Sequence, residues 1–423
     1  MAAAFPIDAV RAQFPGLRRE VAGQPAVFFD GPAGSQTPQR VADAVSDYLL
    51  QRNANHGGPF ATSQESDAML AEAHRAVADF LGAARPEEVA FGANMTTLTF
   101  ALSRALARTW RAGDEIVVTH LDHDANVSTW ELAARDAGAA IRHVGIRPDD
   151  CTLDLDALRS CLTQRTRLVA VAAASNLVGT INPIREIAAL THAAGAQLFV
   201  DAVHFAPHRL IDVGLWDCDY LVCSAYKFFG PHLGVLWGRS ALLAELPAYK
   251  LRVAPDALPD RWMTGTPCNE GIAGALEAVE YLADLGRSIA GNSLDRRGAL
   301  RAAFAAIEAY ESSLCRQLLD GIAALAGVRT VGIADVARLE ERTPTLGILA
   351  EGCSPDALSE ALGKRGVFTW GGNSYALPLT EALGLEPEGV LRIGLLHYNT
   401  ADEVARLLEL LPDCTAAAPA GRR

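Results

Sequence analysis

The chain has 423 residues, 50% of them hydrophobic and 21% charged, so it can bury a sizeable core, and global disorder is excluded. Acidic residues outnumber basic ones by 50 to 37, and the net charge of −13 argues against nucleic acid or an anionic membrane surface as a partner. No run of 18 apolar residues predicts a membrane span, and residues 1–10 lack the pattern of a signal peptide.

Between about residues 85 and 240, short apolar runs alternate with helical patterns. Seven of these runs predict strands: 89–91, 115–119, 140–146, 168–173, 197–200, 220–223 and 234–237. Alternation of strands and helices over this length predicts an α/β fold with a mainly parallel, seven-stranded sheet. Such sheets bind ligands at the carboxyl ends of their strands.

Two helices in this region have recognisable start signals. Thr62 and Glu65 have the spacing of a capping box before a predicted helix at 66–81. Asn94 is a good N-cap for a predicted helix at 95–110.

The pattern of predicted helices and strands changes near residue 290. A long predicted helix at 296–326 leads into a smaller α/β section that ends in a helix after Thr400, which forms a capping box with Glu403. We therefore predict a large domain at 25–290, a small domain formed by 1–24 and 291–412, and a flexible tail at 413–423.

The eight cysteines form no CxxC pair and none lies near a histidine at metal-ligand spacing. This pattern predicts reduced thiols in a cytoplasmic protein, and no metal site.

Polar residues follow three of the predicted strands. Asp201 ends the first, and such a residue is either a helix cap or a carboxylate presented to a ligand. Lys227 lies after another strand, between Tyr226 and Phe228. A lone lysine is usually a solvated surface charge. Here the aromatic neighbours disfavour solvation, which lowers the pKa of the amine and makes it nucleophilic. His123 follows the third, either as a turn residue or as a flat ring beside an aromatic cofactor.

Together these three residues make a coherent site for pyridoxal 5'-phosphate. Lys227 would form a Schiff base with the cofactor aldehyde, and Asp201 would keep the pyridine nitrogen protonated so that the ring acts as an electron sink. His123 would stack on the ring. These roles make Lys227 and His123 the candidate catalytic residues.

The cofactor phosphate needs backbone amides and hydroxyls. The segment Asn94-Met95-Thr96 opens a helix, whose free amides and dipole favour an anion. Ser224 adds a hydroxyl at the end of its strand.

The stretches 176–180, 200–204 and 224–227 resemble the class V aminotransferase family of fold-type I pyridoxal phosphate enzymes, and within it the cysteine desulfurases and a desulfurase-like subgroup. The resemblance covers about residues 20–410. It implies a fold-type I large domain with a smaller C-terminal α/β domain.

The resemblance also implies roles for five further residues. Asn176 matches the asparagine near the cofactor hydroxyl and substrate carboxylate, and His204 stands where desulfurases usually have glutamine. Tyr226 replaces their histidine before the lysine, a position that contacts the cofactor. Thr266 matches the residue by which the neighbouring subunit completes the phosphate site, which implies a homodimer with shared active sites. Arg392 matches the arginine that binds the substrate α-carboxylate.

One segment departs from the desulfurase pattern. Desulfurases carry a loop cysteine that takes sulfur as a persulfide, and the corresponding residues 368–377 contain none. Ser374 is a poor sulfur acceptor. Asn373 and Tyr375 are therefore expected to line a substrate pocket.

The predicted function is that of a carbon–sulfur β-lyase acting on cysteine or an S-substituted cysteine, a small-molecule amino acid. It would proceed by α-proton abstraction and β-elimination. Decarboxylative or oxidative deamination, transamination and epimerisation are enzyme alternatives. A catalytically silent cofactor-binding partner protein is the non-enzyme alternative.

Overall fold

The computed structural model describes residues 5–417. Within that range the α-helices are α1 (Ile7–Ala12), α2 (Gln39–Asp47), α3 (Ala61–Leu81), α4 (Met95–Ala107), α5 (Ser128–Ala137), α6 (Leu155–Cys161), α7 (Ile184–Ala193), α8 (Val213–Trp216), α9 (Ser240–Glu245), α10 (Asn269–Ala290), α11 (Arg296–Ala323), α12 (Pro355–Lys364), α13 (Leu377–Ala382) and α14 (Ala401–Ala417).

The strands are mostly short. They are β1 (Glu20–Val21), β2 (Gln24–Pro25), β3 (Val27–Phe28), β4 (Val89–Gly92), β5 (Glu115–Thr119), β6 (Ala140–Val144), β7 (Ile146–Arg147), β8 (Thr152–Leu153), β9 (Thr166–Ala172), β10 (Gln197–Asp201), β11 (Tyr220–Ser224), β12 (Gly234–Gly238), β13 (Val328–Val331), β14 (Thr345–Ala350), β15 (Val367–Phe368) and β16 (Leu391–Gly394).

Seven strands form the central sheet, in the order β4-β12-β11-β10-β9-β5-β6. Only β12 runs antiparallel to its neighbours in this sheet. The predicted mainly parallel, seven-stranded sheet is therefore confirmed. A second, antiparallel sheet has the order β13-β14-β16.

Helices cover both faces of the central sheet. Leu198 and Val200 of β10 pack into one hydrophobic cluster together with residues of α3 and α10. Phe199, between them in sequence, packs on the other face against Trp130 of α5. Successive side chains of a strand point to opposite faces of the sheet, so a strand buried on both faces has a continuous run of apolar residues. Such a run predicts a strand from the sequence, as it does for β10.

The helix starts were predicted with mixed success. Asn94 caps α4 by accepting a hydrogen bond from the Thr97 amide at 2.8 Å. In contrast, α3 begins at Ala61, so Thr62 lies inside its first turn and the predicted capping box is wrong. The Ser66 hydroxyl, predicted to open that helix, instead bonds the Tyr48 hydroxyl at 2.9 Å in the interior.

The division into two domains stays a prediction, but two of its limits need correction. Strand β3 pairs with β15, so residues 27–28 lie with the C-terminal part of the chain and a boundary at residue 25 is too early. Helix α14 continues to Ala417 with Cys414 buried, so a flexible tail beginning at 413 is wrong, because that helix still packs on the core. The rest of the predicted tail, 418–423, lies outside the described residues.

No helix between residues 5 and 417 is both long and apolar enough to cross a bilayer.

Candidate active site

A cavity of about 570 Å³ lies at the carboxyl ends of the central strands, between the large sheet and the C-terminal part of the chain. Its lining comes from segments far apart in sequence: Pro32, Ala33, Met95, Thr96, His123, Ala172, Ala174, Asn176, Asp201, Val203, His204, Tyr226, Lys227, Asp356, Trp370, Gly371, Gly372, Asn373, Ser374, Tyr375, Pro387 and Arg392. Ten of the predicted site residues are among them.

Lys227 ends a 3₁₀ turn, Ala225–Lys227, that directly follows β11. Its amine donates a hydrogen bond to the Pro32 carbonyl oxygen. The pKa of Lys227 is lowered to about 7, mainly by desolvation and also by the positive charge of Arg392, while Asp201 acts in the opposite direction. A substantial fraction of this amine is therefore neutral at physiological pH, as a nucleophile or a base requires.

Asp201 is the last residue of β10 and is only 5% exposed. One carboxylate oxygen accepts a hydrogen bond from the Val203 amide at 2.8 Å. Burial raises the pKa of Asp201 to about 6, an effect that the Val203 amide and Lys227 reduce. The carboxyl group is still mostly ionised at neutral pH and can pair with a cationic ring nitrogen.

His123 lines the cavity next to Tyr375. Its Nδ1 accepts a hydrogen bond from the Ala125 amide at 3.0 Å, and its ring stacks on that of Tyr375. Burial lowers the pKa of His123 to about 4, and Lys227 adds to this effect, so the imidazole is neutral. The Asp124 amide donates to the Tyr375 carbonyl at 2.7 Å and holds the two segments together.

Arg392 and Asn176 meet on the cavity wall. Arg392 Nη1 donates to the Asn176 carbonyl oxygen at 3.1 Å. Within the described residues, the buried Arg392 Nε and Asn176 Oδ1 have no hydrogen-bond partner. Burial lowers the pKa of Arg392 to about 10, with Asp30 opposing this, and the guanidinium stays charged. A free donor and a free acceptor are thus available to a ligand with both a carboxylate and a donor group.

The start of α4, where the phosphate site is predicted, lies at the cavity. Met95 and Thr96 line the cavity, and the Met95 amide donates to the Ser224 hydroxyl at 3.3 Å. Gly234 is required here because a Cβ at that position would lie 2.3 Å from the Asn94 backbone. Asn94 and Ser224 do not line the cavity. The Asn94 side chain caps the helix, and the Ser224 hydroxyl accepts the hydrogen bond of the Met95 amide.

Tyr226 and His204, both predicted to contact the cofactor, also line the cavity. The Tyr226 ring stacks on His232, and the Lys227 amine lies 4.9 Å from the Tyr226 ring centroid. His204 Nε2 lies 3.2 Å from the Thr343 hydroxyl, and burial holds the pKa of His204 well below its usual range.

Thr266 is the predicted site residue that lies apart. It sits in an exposed segment outside this cavity.

The segment from Trp370 to Tyr375 forms the outer wall. Trp370 and Arg392 form two backbone hydrogen bonds with each other, at 3.2 and 2.7 Å. The side-chain amide of Asn176 donates a hydrogen bond to the Ser374 carbonyl oxygen at 2.8 Å. This segment is therefore hydrogen-bonded to β16 and to the loop that follows β9. No cysteine of the described chain lines the cavity.

Some lining residues were missed at the sequence level. Pro32, Ala33, Asp356 and Pro387 reach the cavity from segments without any local motif, so only the tertiary structure identifies them.

The residues present fit pyridoxal phosphate. A desolvated amine and a buried carboxylate line one cavity beside a neutral imidazole and a helix start. The unpartnered Arg392 Nε and Asn176 Oδ1 leave a donor and an acceptor free for a ligand.

Comparisons with known proteins agree on one family. The family model described as aminotransferase class-V matches residues 27–407. A probable cysteine desulfurase of Halobacterium salinarum is 34% identical over 422 residues, 95% of this chain and 95% of the relative. A cysteine desulfurase of Dickeya dadantii is 32% identical over 422 residues, 96% of this chain and 95% of the relative.

Two solved structures are similar over almost the whole chain. The apo cysteine desulfurase from Thermococcus onnurineus has a TM-score of 0.86 at 26% identity, covering 98% of this chain and all of the other. The cysteine desulfurase from Escherichia coli has a TM-score of 0.84 at 25% identity, with the same coverage.

Proposed function

Because the chain belongs to the class V aminotransferase family of pyridoxal phosphate enzymes, we propose that it is a carbon–sulfur β-lyase acting on cysteine or an S-substituted cysteine. Its relatives named as cysteine desulfurases support cysteine as the parent of the substrate class. The products would be a thiol, pyruvate and ammonia, with one water consumed.

The observation that carries this proposal is a cavity wall without cysteine. Residues 368–377 hold Ser374 where a sulfur-accepting thiol is expected, and no described cysteine lines the cavity. An alcohol does not take sulfur as a persulfide, so the sulfur is expected to leave with its own substituent as a thiol. The hydrogen bonds that tie this segment to Arg392 and Asn176 also disfavour a swinging loop.

Arg392 would bind the substrate α-carboxylate. Its guanidinium is buried and charged, and its Nε is free. A forked donor of this kind orients a carboxylate through two hydrogen bonds. Asn176 Oδ1, beside it, would accept a hydrogen bond from the bound ligand.

Lys227 would then remove the substrate α-proton. Its pKa of about 7 leaves the amine partly neutral, and the Pro32 carbonyl oxygen orients it. Pyridoxal phosphate, when bound, supplies the electron sink that stabilises negative charge at the α-carbon. Asp201 would keep the pyridine nitrogen protonated, and His123 would cover the ring face as a neutral imidazole.

We also propose a cytoplasmic homodimer in which Thr266 serves the partner's site. Thr266 is exposed and lies outside the cavity of its own chain, as such a role requires. The eight cysteines are all unpaired, which supports a reducing compartment.

A product assay on purified protein tests this function. We expect S-substituted cysteines to give thiol, pyruvate and ammonia in equal amounts, and Lys227→Ala to abolish all three. Carbon dioxide without thiol would instead indicate decarboxylative deamination. Absence of turnover across a panel of S-alkyl and S-aryl cysteines would overturn the enzyme assignment for this substrate class.

A further inference from the structure

The cavity has a buried inner end and an open mouth. Asp201 and Arg392 at the inner end are each 5% exposed, whereas Trp370 and Tyr375 are 52% and 71% exposed although they line the same cavity. A substrate held by its α-carboxylate at Arg392 would place its side group towards these two exposed rings. The mouth therefore determines which side groups the enzyme accepts.

The mouth carries one carboxylate. Asp356, the second residue of α12, is exposed and lines the cavity. Gly371 packs directly against it, since a Cβ at that position would lie 2.3 Å from Asp356 Oδ1. The carboxylate thus lies beside the segment that carries Trp370.

Asp356 lies in the first turn of α12, where the helix dipole favours an acid. Among the ion pairs within residues 5–417, none involves its carboxylate. The N-cap of α12 is made by Ser354, whose hydroxyl accepts a hydrogen bond from the Ala357 amide. The carboxylate that raises the pKa of Arg392 is that of Asp30, not that of Asp356. The cavity therefore has the Arg392 guanidinium at its inner end and the Asp356 carboxylate at its mouth.

Building on the β-lyase function, we propose that the substrate is a cysteine whose sulfur substituent carries a positive charge, such as an ammonium or guanidinium group. Asp356 attracts that charge, and the faces of Trp370 and Tyr375 favour it through cation–π contacts. The same carboxylate disfavours substituents that carry an acid. Asp356 is thus a specificity-determining residue.

Two nearly isosteric ligands separate charge from size. S-(2-aminoethyl)cysteine and S-propylcysteine differ at the last atom of the substituent, an ammonium in one and a methyl in the other. We expect kcat/KM to favour the amine by about fivefold, the sum of an exposed ion pair and a cation–π contact. Asp356→Asn should reduce the ratio to about twofold, the part that the cation–π contact retains, and Asp356→Lys should create a preference for S-(2-carboxyethyl)cysteine.

Binding provides a readout that does not depend on turnover. The α-methyl forms of both ligands lack the α-proton, so calorimetry on the holoenzyme measures their affinity even if no substrate is cleaved. Glu360→Gln, on the same helix but paired with Lys364 outside the cavity, is the matched control and should keep the wild-type ratio.

The outcomes separate the two claims. Cleavage of both substrates at equal efficiency, together with equal binding of both α-methyl ligands, would overturn the inference and leave the β-lyase function intact. A binding preference that depends on Asp356, without cleavage, would support the inference and count against the β-lyase. An Asp356→Asn variant that loses thermal stability but keeps the preference would assign Asp356 to the helix alone and overturn its role in specificity.

Discussion

The rings of Tyr375 and His123 are stacked, with their centroids 5.4 Å apart and their planes 20° from parallel. The two residues are 252 positions apart in the sequence, and the hydrogen bond from the Asp124 amide to the Tyr375 carbonyl fixes the contact. This contact makes the outer wall part of the support for His123.

Loss of this stacked contact is expected to weaken cofactor binding. An aromatic pair contributes about 0.5–1.5 kcal/mol beyond burial, so Tyr375→Ala should raise the Kd of apoprotein for pyridoxal phosphate by about three- to tenfold. Tyr375→Phe keeps the ring and should bind like the wild type. Equal Kd values for the wild type and the Ala variant, measured by titration of the visible band, would contradict this role.

Lys227 should react as an unusually acidic ammonium group in the apoprotein. Its pKa of about 7 means that the amine is protonated and unreactive at pH 6 and largely neutral at pH 8. Reductive methylation followed by peptide mass spectrometry should show half-maximal reactivity of Lys227 near pH 7. An added reference peptide with an ordinary lysine should reach that point near pH 10.4. A Lys227 profile that coincides with the peptide would contradict the desolvated amine.

Arg392 is expected to affect the substrate and not the cofactor. Arg392→Ala should lower kcat/KM for a carboxylate substrate by about 100-fold, since it removes a charged, forked contact, while the visible spectrum of the holoenzyme stays as in the wild type. Arg392→Lys retains charge but not the fork and should recover part of the loss. Full activity in Arg392→Ala would show that another group binds the α-carboxylate.

Arg342 is expected to act on stability. Its guanidinium is 2% exposed and donates to the carbonyl oxygens of Val178, Thr343 and Thr345, among others. Arg342→Met would leave these buried acceptors unpaired, and we expect the free energy of unfolding in urea to fall by about 3 kcal/mol.

The matched control for that change is a surface arginine of the same segment. Arg338 pairs with Asp150 at 2.9 Å and with Glu341 at 2.6 Å, and its methionine variant should lose less than about 1 kcal/mol. Equal losses in the two variants would refute the structural role of Arg342.

The sequence was most informative where local physics decides the structure. Six of the seven central strands are mostly buried on both faces; the exception is the edge strand β6, in which Arg142 and His143 are exposed. Asn94, Ser354 and Thr400 each cap a helix as their side chains allow. It failed at Thr62, because α3 begins at Ala61 and so places Thr62 in its first turn.

The site was predictable in its inner part and not at its mouth. Asp201 ends a buried strand and Lys227 follows another, positions at which a charged residue is conspicuous. Asp356 starts an ordinary surface helix, and Pro32 offers only a backbone carbonyl, so neither has a sequence signal. Their positions depend on how the C-terminal part of the chain packs on the large sheet.

Covalent attachment of the cofactor at Lys227 is the central claim, and borohydride reduction of the purified protein tests it most directly. The chain has three lysines, Lys227, Lys250 and Lys364, so peptide mass spectrometry can assign the modified one without ambiguity. We expect the mass of reduced pyridoxal phosphate on the peptide that contains Lys227. Its presence on Lys250 or Lys364 alone, or its absence from all three after incubation with the cofactor, would contradict the account.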